Sequence, residues 1–169
     1  ANGAAFLARV EAEAGLRLEI ITPREEAELA FRGCAPLLAR EPRRAILFDI
    51  GGGSTEVGWV AIRPGRGIEL LAYRSLPLGV VNLAERHGAR AYCERTYGDM
   101  VDEIATSLEP LEAECNIAAE VRRGRVQMLG SSGTVTTLAG IEMQLQRYDR
   151  SRVDGSYLDF GSIGAISRR

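Results

Sequence analysis

The sequence contains no lysine, so all 21 of its basic residues are arginine. They are balanced by 23 acidic residues to a net charge of -2 at pH 7, and no overall field therefore draws the chain toward nucleic acid. A bias in the coding sequence would explain why every basic residue is arginine, since alanine and glycine are abundant too. Guanidinium groups also suit bidentate recognition of phosphate, and the two explanations are compatible.

Cysteines are few, and no long apolar run is present. Cys34, Cys93 and Cys115 are widely spaced and form no CxxC pair, so neither a disulfide framework nor a thiolate metal site is indicated. No apolar run approaches the ~20 residues that a membrane span needs, and no signal peptide is recognisable. We therefore expect a soluble protein of the reducing cytoplasm, with no membrane and no nucleic acid among its partners.

The length of 169 residues fits one domain or slightly more. The chain begins at Ala1 without an initiator methionine, and its end carries no helix stop signal. We expect it to be a piece of a longer protein.

Hydrophobic spacing predicts the elements of the first half. A helix is expected over residues 2–14, a strand over 16–21, and a second helix from the N-cap Thr22 to about residue 38. A short apolar run at 45–48 predicts a buried strand, and alternation predicts two more strands over 55–62 and 68–75. These three strands form an antiparallel meander.

The second half is predicted to be mainly helical. We expect a short helix over 79–87, a long one over 92–119 that contains Pro110, and a strand over 125–129. A glycine loop over 130–134 then leads into a helix over 135–148.

The first turn of the meander has the composition of an anion site. It comprises Gly51, Gly52, Gly53, Ser54 and Thr55. Glycines allow φ > 0 and close approach, so successive N–H groups can surround a phosphate, and the two hydroxyls add donors. Asp49 at the strand end is placed to hold a divalent cation. The alternative is a tight hairpin in an ordinary sheet.

The second glycine segment is predicted to lie between a strand and a helix. It comprises Gly130, Ser131, Ser132, Gly133 and Thr134. Its N–H groups and the helix dipole offer another anion site, although a simple N-cap would have the same composition. No GxGxxG or GxxxxGK[ST] pattern occurs. We expect the two segments to face one cleft.

These motifs together resemble a known family. DIGGGSTE is similar to the second phosphate-binding motif of the actin, Hsp70 and sugar-kinase superfamily, and GSSGT resembles the glycine motif on the opposite wall of its cleft. EEAELAFRG and LPLGVVNLAERHG narrow the resemblance to the exopolyphosphatase and guanosine pentaphosphate phosphohydrolase family.

The resemblance implies a ribonuclease H-like (actin-like ATPase) α/β fold, with a mixed sheet that contains the antiparallel meander and has flanking helices. It implies hydrolysis of the terminal phosphoanhydride of polyphosphate or of guanosine pentaphosphate (pppGpp), usually with Mg²⁺. The implied partners are polyphosphate or guanosine penta- or tetraphosphate, and the full-length protein is expected to be a homodimer. Residues 1–28 would end a preceding domain, 29–150 would form the second domain, and 151–169 would be an extension or linker.

The resemblance also implies roles for individual residues. Glu26 would orient or deprotonate the attacking water, Asp49 and Glu56 would hold metal and water, and the two glycine segments would bind phosphate. Glu25 is the rival of Glu26, and both glutamates would equally suit the positive end of a helix as solvated residues.

One departure from the family pattern is that no DxGS-type loop precedes these motifs. We therefore expect this chain to supply half of the cleft and to hydrolyse little alone. Two other functions stay open: an alarmone-binding sensor that does not cleave, and an ATP-dependent kinase.

Trp59 is predicted to be core and His87 a capping or surface residue. Arg122, Arg123 and Arg125 either meet the distal phosphates of a polyanion or form a solvated turn.

Overall fold

The computed structural model describes residues 2–63, 65–88 and 93–167. A 3-10 turn spans Ala35–Leu37. The helices are α1 (Gly3–Ala14), α2 (Pro23–Cys34), α3 (Val80–His87), α4 (Glu94–Cys115), α5 (Ile117–Arg122), α6 (Ser132–Glu142), α7 (Arg150–Val153) and α8 (Phe160–Ser167). The strands are β1 (Arg44–Ile50), β2 (Thr55–Arg63), β3 (Gly67–Leu76) and β4 (Val126–Ser131).

The four strands form one mixed sheet in the order β3-β2-β1-β4. The β1–β2 and β2–β3 pairs are antiparallel, as short turns permit, whereas β4 is parallel to β1 after a crossover through α3, α4 and α5. The prediction of an α/β fold with an antiparallel three-strand meander is confirmed.

Helices cover both faces of the sheet. On one face Ala27 and Phe31 of α2 pack against Leu47 and other buried strand residues. A Cβ at Gly58 would lie 2.4 Å from the Phe31 ring, so β2 needs glycine at this position. On the other face Trp59 packs in a cluster with Leu111 of α4 and Ile117 of α5. Trp59 is only 4% exposed, which confirms its predicted place in the core.

The start of α2 agrees with its prediction. The Thr22 hydroxyl accepts a hydrogen bond from the Glu25 N–H, and the Glu25 carboxylate accepts one from the Thr22 N–H, which is a complete capping box. This cap places Glu26 in the first turn of a helix that lies across the sheet.

The predicted strand over 16–21 is wrong. No strand of the described residues pairs with this segment, and Leu18 and Ile20 are 44% and 76% exposed. A strand satisfies its backbone only beside a neighbour, so the apolar sequence alone does not produce one.

Two helices also have boundaries that differ from their predictions. The long helix predicted to 119 ends at Cys115, because Asn116 takes a left-handed conformation (φ 50) and α5 starts anew after it. Its predicted start at residue 92 lies outside the described residues. The helix expected over 135–148 begins at Ser132 and ends at Glu142, so the predicted loop 130–134 is the end of β4 followed at once by α6.

Across 2–63, 65–88 and 93–167, the structure has no helix that is long and apolar enough to span a membrane.

Candidate active site

The site is built on one row of residues that crosses the whole sheet. Asp49 of β1 lies directly opposite Glu56 of β2, and the row continues to Ser131 of β4 on one side and Ser75 of β3 on the other. Directly opposite residues project from the same face, with their Cβ atoms about 5 Å apart. The structure thus brings together the two carboxylates that the sequence placed at a metal site.

Each of the two carboxylates accepts one hydroxyl hydrogen bond. The Ser131 hydroxyl donates to Asp49 Oδ2 at 3.2 Å, and the Ser75 hydroxyl donates to Glu56 Oε1 at 3.0 Å. Two like charges directly opposite each other are unfavourable, so this arrangement gains stability from a cation between them. The hydroxyls orient the carboxylates without neutralising them.

Asp49 and Glu56 suit Mg²⁺ better than a metal ion whose ligands all come from the protein. Among the residues that the structure describes, no three His, Cys, Asp or Glu side chains form a metal-binding cluster. Mg²⁺ characteristically uses one or two carboxylates and fills its remaining positions with water and substrate phosphate oxygens. Asp49 and Glu56 provide such a partial ligand set.

The two rival glutamates of α2 have different surroundings. The Glu25 carboxylate accepts hydrogen bonds of 2.8 Å from both the N–H and the hydroxyl of Thr22, and these bonds lower the pKa of Glu25. Glu25 is thereby occupied as a cap. The Glu26 side chain makes no hydrogen bond within the described part of the chain, so its carboxylate is available to a water or a ligand.

Tyr73 of β3 contacts the start of helix α2. Its hydroxyl donates to the backbone carbonyl of Pro23 at 3.3 Å. Burial raises the pKa of Tyr73, a hydrogen bond with Ser75 opposes the rise, and the nearby charges of Glu56 and Glu26 add to it. The hydrogen bond to Pro23 ties β3 to the start of α2. The sequence analysis missed Tyr73, because nothing in the local pattern of β3 marks it.

The first glycine segment is held by helix α3. Its carbonyls accept from the start of that helix: Val80 N–H donates to Gly51 at 3.0 Å, Val81 N–H to Gly52 at 2.9 Å, and the Asn82 side-chain amide to Gly53 at 2.7 Å. Asn82 is a second residue that the sequence analysis missed. Its position three residues after Gly79, at the start of a helix, was the available signal.

Some hydrogen-bond donors of this glycine segment already bond to the protein, and the others are free to bind a ligand. The Gly51 N–H closes the turn onto the Ser54 carbonyl at 2.9 Å. The N–H groups of Gly52, Gly53 and Ser54 donate no hydrogen bond to any described residue, so they are available to an anion. The Thr55 hydroxyl donates to the Leu78 carbonyl at 2.6 Å, so its proton holds the loop and does not face a phosphate.

The three glycines of this loop do not use their freedom to adopt positive φ values. Positive φ values occur at six other described glycines, but not at Gly51, Gly52 or Gly53. At Gly52 helix α3 approaches closely, since a Cβ there would lie 3.2 Å from the Val81 side chain. A Cβ at Gly51 would lie 3.2 Å from the Ser54 carbonyl oxygen, and one at Gly53 would meet nothing within 4 Å.

The second glycine segment contains a strained serine. Ser132 has φ 77, which is uncommon for a residue with a side chain and occurs mostly where function maintains it. No side chain caps α6, because the Ser131 hydroxyl is directed to Asp49. The first N–H groups of the helix thus remain free of a side-chain acceptor.

Two other members of this segment have structural contacts. The Thr134 hydroxyl donates to the Ile50 carbonyl at 2.9 Å and ties α6 to the end of β1. A Cβ at Gly130 would lie 2.7 Å from the Phe48 ring, so Gly130 is required by packing.

The two segments meet at one open cavity of about 460 Å³. It is lined by Ile50, Gly51, Gly52, Val80, Ser132, Gly133, Thr134, Thr137 and Leu138. Gly53, Ser54 and Gly130 are not among its lining residues. Thr55, Ser131, Asp49 and Glu56 do not line it either. The N–H group of Gly52 and those of the first turn of α6 give the cavity donors that can bind a phosphate.

Comparison with known proteins identifies relatives over nearly the whole chain. The family model of the Ppx/GppA phosphatase family matches residues 1–158. Exopolyphosphatase 2 of Mycobacterium tuberculosis is 33% identical over 156 residues, which cover 85% of this chain and 44% of that protein. The guanosine-5'-triphosphate,3'-diphosphate pyrophosphatase of Photobacterium profundum is 28% identical over 83% of this chain and 26% of its own length. The chain therefore spans less than half the length of these curated relatives.

Solved structures give the same result. The Aquifex aeolicus PPX-GPPA enzyme superposes with a TM-score of 0.78 at 29% identity, over 98% of this chain and 50% of that one. An exopolyphosphatase from Cytophaga hutchinsonii superposes with a TM-score of 0.74 at 26% identity, over 98% of this chain and 51% of its own. The predicted actin-like fold class is thereby confirmed.

Proposed function

Because the chain belongs to the Ppx/GppA phosphatase family, we propose that it supplies one half of the active-site cleft of a phosphoanhydride hydrolase. The substrate is inorganic polyphosphate or guanosine pentaphosphate (pppGpp), from which the terminal phosphate is released. The observation that carries the proposal is that the Asp49–Glu56 pair flanks the first glycine segment, and that residues of both glycine segments line one cavity.

Substrate binding is assigned to backbone groups. The N–H groups of Gly52, Gly53 and Ser54 bind phosphate oxygens from one side, and the first turn of α6 binds them from the other. A charge-assisted hydrogen bond contributes about 1.5–3 kcal/mol, so a few such donors hold a phosphate without lysine. Asp49 and Glu56 would hold Mg²⁺, which supplies charge neutralisation to the phosphate oxygens when bound.

The hydrolytic step is assigned to Glu26. Its carboxylate accepts a hydrogen bond from a water and takes a proton as the water oxygen attacks the terminal phosphorus. The anhydride P–O bond breaks, the shortened phosphate chain leaves with the bonding electrons, and the proton returns to solvent. Phosphoryl transfer depends on positioning and charge stabilisation more than on covalent catalysis, which suits a site rich in N–H donors.

The whole protein is further proposed to be a cytoplasmic homodimer. Within it, residues 1–28 complete a preceding domain, 29–150 form the second actin-like domain, and 151–169 form an extension or linker. The three cysteines are free thiols, as is usual in a reducing compartment.

A second candidate is a sensor of the same fold that binds the alarmone without cleaving it. It is favoured by one observation: within the described residues no hydrogen bond orients the Glu26 carboxylate. The phosphate-binding N–H groups would function equally well in such a sensor.

Phosphate release from the full-length protein with Mg²⁺ separates these functions. Polyphosphate and pppGpp are compared side by side, using wild type, Glu26→Ala and the matched control Glu25→Ala. We expect release from at least one substrate, a loss of about a hundredfold or more in the Glu26 variant with binding retained, and a small change in the control. Binding of either ligand without any release by wild type would overturn hydrolysis and support the sensor.

A further inference from the structure

Positive charge is concentrated at the end of the sheet where β1 and β4 begin, which is the end away from Asp49. Eight arginines and three glutamates lie there, a net charge of +5 in a chain whose total is -2. We call this surface the arginine end. Its arginines are Arg40, Arg43, Arg44, Arg63, Arg66, Arg122, Arg123 and Arg125, and its glutamates are Glu41, Glu69 and Glu120.

Strand register brings these residues together from three parts of the chain. Arg44, the first residue of β1, lies opposite Ala61 near the end of β2 and beside Val126 at the start of β4. Arg63 ends β2 opposite Gly67, the first residue of β3. Arg66 and Arg125 immediately precede β3 and β4, so all four strands present arginine at this edge.

The segment before β1 is fixed to the same edge by a side chain of β4. The amide of Gln127 donates to the carbonyls of Ala39 at 2.9 Å and of Pro42 at 2.8 Å, and its oxygen accepts from the Ala39 N–H. Arg40 and Arg43 are thereby held beside the start of β4.

Carboxylates only partly neutralise this surface. Glu41 pairs with Arg43, Glu69 with Arg63, and Glu120 with both Arg123 and Arg125. These ion pairs are exposed, and such pairs contribute at most about 1 kcal/mol, so a stronger anion displaces them readily. In the described ranges, Arg40, Arg44, Arg66 and Arg122 form no ion pair.

The two ends of the sheet therefore have opposite charge. Arg44 and Asp49 are five residues apart on β1, a separation of about 17 Å. The row of Asp49 and Glu56 repels a polyanion until a cation is bound, whereas the arginine end attracts it without a cation. A long polyanion would thus first meet this protein at the arginine end.

We propose that the arginine end binds distal phosphates of a long polyphosphate chain, an inference that rests on the proposed function. Guanidinium groups match phosphate oxygens in geometry, and the arginines are spread over a broad edge, as an extended chain requires. The segments that carry these eleven charged residues, 40–44, 63–69 and 120–125, contain no aromatic residue, so none of them offers an aromatic side chain on which nucleic acid bases could stack.

Binding of long-chain polyphosphate to the chain, measured by titration in EDTA over a series of salt concentrations, tests this proposal. The test variant combines Arg40→Gln, Arg66→Gln and Arg122→Gln. The matched control combines Arg9→Gln, Arg17→Gln and Arg95→Gln, which removes the same charge from exposed positions elsewhere. We expect the test variant to bind at least about tenfold more weakly than the control, with a salt slope lower by roughly three. Circular dichroism establishes that both remain folded.

Equal affinities of the two triple variants would overturn the proposal. Tighter binding of single-stranded RNA than of polyphosphate at equal phosphate concentration would overturn the assigned ligand. If arginine-dependent binding persists while the full-length protein releases no phosphate, only the proposed function fails.

Discussion

Gly79 touches the backbone of Gly52 so closely that a Cβ at Gly79 would lie 2.4 Å from both the carbonyl carbon and the carbonyl oxygen of Gly52. The start of α3 thus packs directly on the first phosphate-binding segment. The carbonyls of that segment accept the first N–H groups of α3, so the loop also serves as the helix cap. The conformation of the loop and the position of the helix are consequently interdependent.

Gly79→Ala should destabilise the protein by about 1–3 kcal/mol, because the added methyl group must separate α3 from the loop. Gly53→Ala is the matched control, since a Cβ at Gly53 meets nothing within 4 Å and its φ is not left-handed. Urea denaturation measures the free energy of unfolding for both variants. A similar loss in both would contradict the close contact between α3 and the loop.

Removing one charge of the Asp49–Glu56 pair should stabilise the protein in EDTA. Like charges directly opposite each other in a sheet cost roughly 0.2–1 kcal/mol, so Asp49→Asn should raise the free energy of unfolding by about that amount. Mg²⁺ should then stabilise wild type but not the variant.

Thermal denaturation with Mg²⁺ and with EDTA checks this second prediction. Glu26→Gln serves as the control, because Glu26 has no partner across the sheet. An Asp49→Asn variant that Mg²⁺ stabilises as much as wild type would remove Asp49 from the proposed metal site.

Ser132→Gly should stabilise the protein by about 1 kcal/mol, because glycine takes φ 77 without steric cost. Ser132→Ala retains the Cβ and the strain, so we expect little change in its free energy of unfolding. Chemical denaturation of both variants provides the comparison. If alanine stabilised the chain as much as glycine, the backbone at Ser132 would not be strained.

Stability should depend on the charge of Glu25 below neutral pH. Hydrogen bonds from Thr22 hold the pKa of Glu25 below its ordinary value of 4.5. A group with a lowered folded pKa stabilises the fold above its unfolded pKa, and this contribution is lost as pH falls through the folded pKa. We therefore expect the loss to begin near pH 4.5 and to continue below it.

Unfolding by urea at pH 7 and at several pH values from 5 to about 3 measures this dependence. Glu25→Gln should show a smaller decrease than wild type. The control Glu19→Gln lies in the extended segment after α1, where its side chain makes no hydrogen bond to the described residues, and it should follow wild type. If the stability of Glu25→Gln depended on pH as that of wild type does, the charge of Glu25 would not contribute to stability.

Local signals accounted for the elements that were predicted correctly. The capping box of Thr22 and Glu25 spans three residues, and the alternation of β2 is visible within nine. Such features depend on hydrogen bonds and side-chain periodicity over a few positions, so the sequence alone specifies them. The meander and the two glycine segments were predictable for the same reason.

Features that require a distant partner were not predictable from the local pattern. Residues 16–21 have a strand-like composition, but only a neighbouring strand could complete their hydrogen bonds. The loop expected before α6 is absent because β4 pairs with β1 as far as Ser131, opposite Asp49.

The amino-acid sequence by itself therefore determined the local elements, the chemical character of the glycine segments and the presence of Glu26, Asp49 and Glu56. Tertiary structure alone decided that Asp49 meets Glu56 and Ser131 in one row, that Thr55 is used to hold the loop, and that arginines from three distant segments form one edge. The physical reason is register: strand pairing joins residues as far apart as 49 and 131, and no periodicity within either strand encodes that pairing.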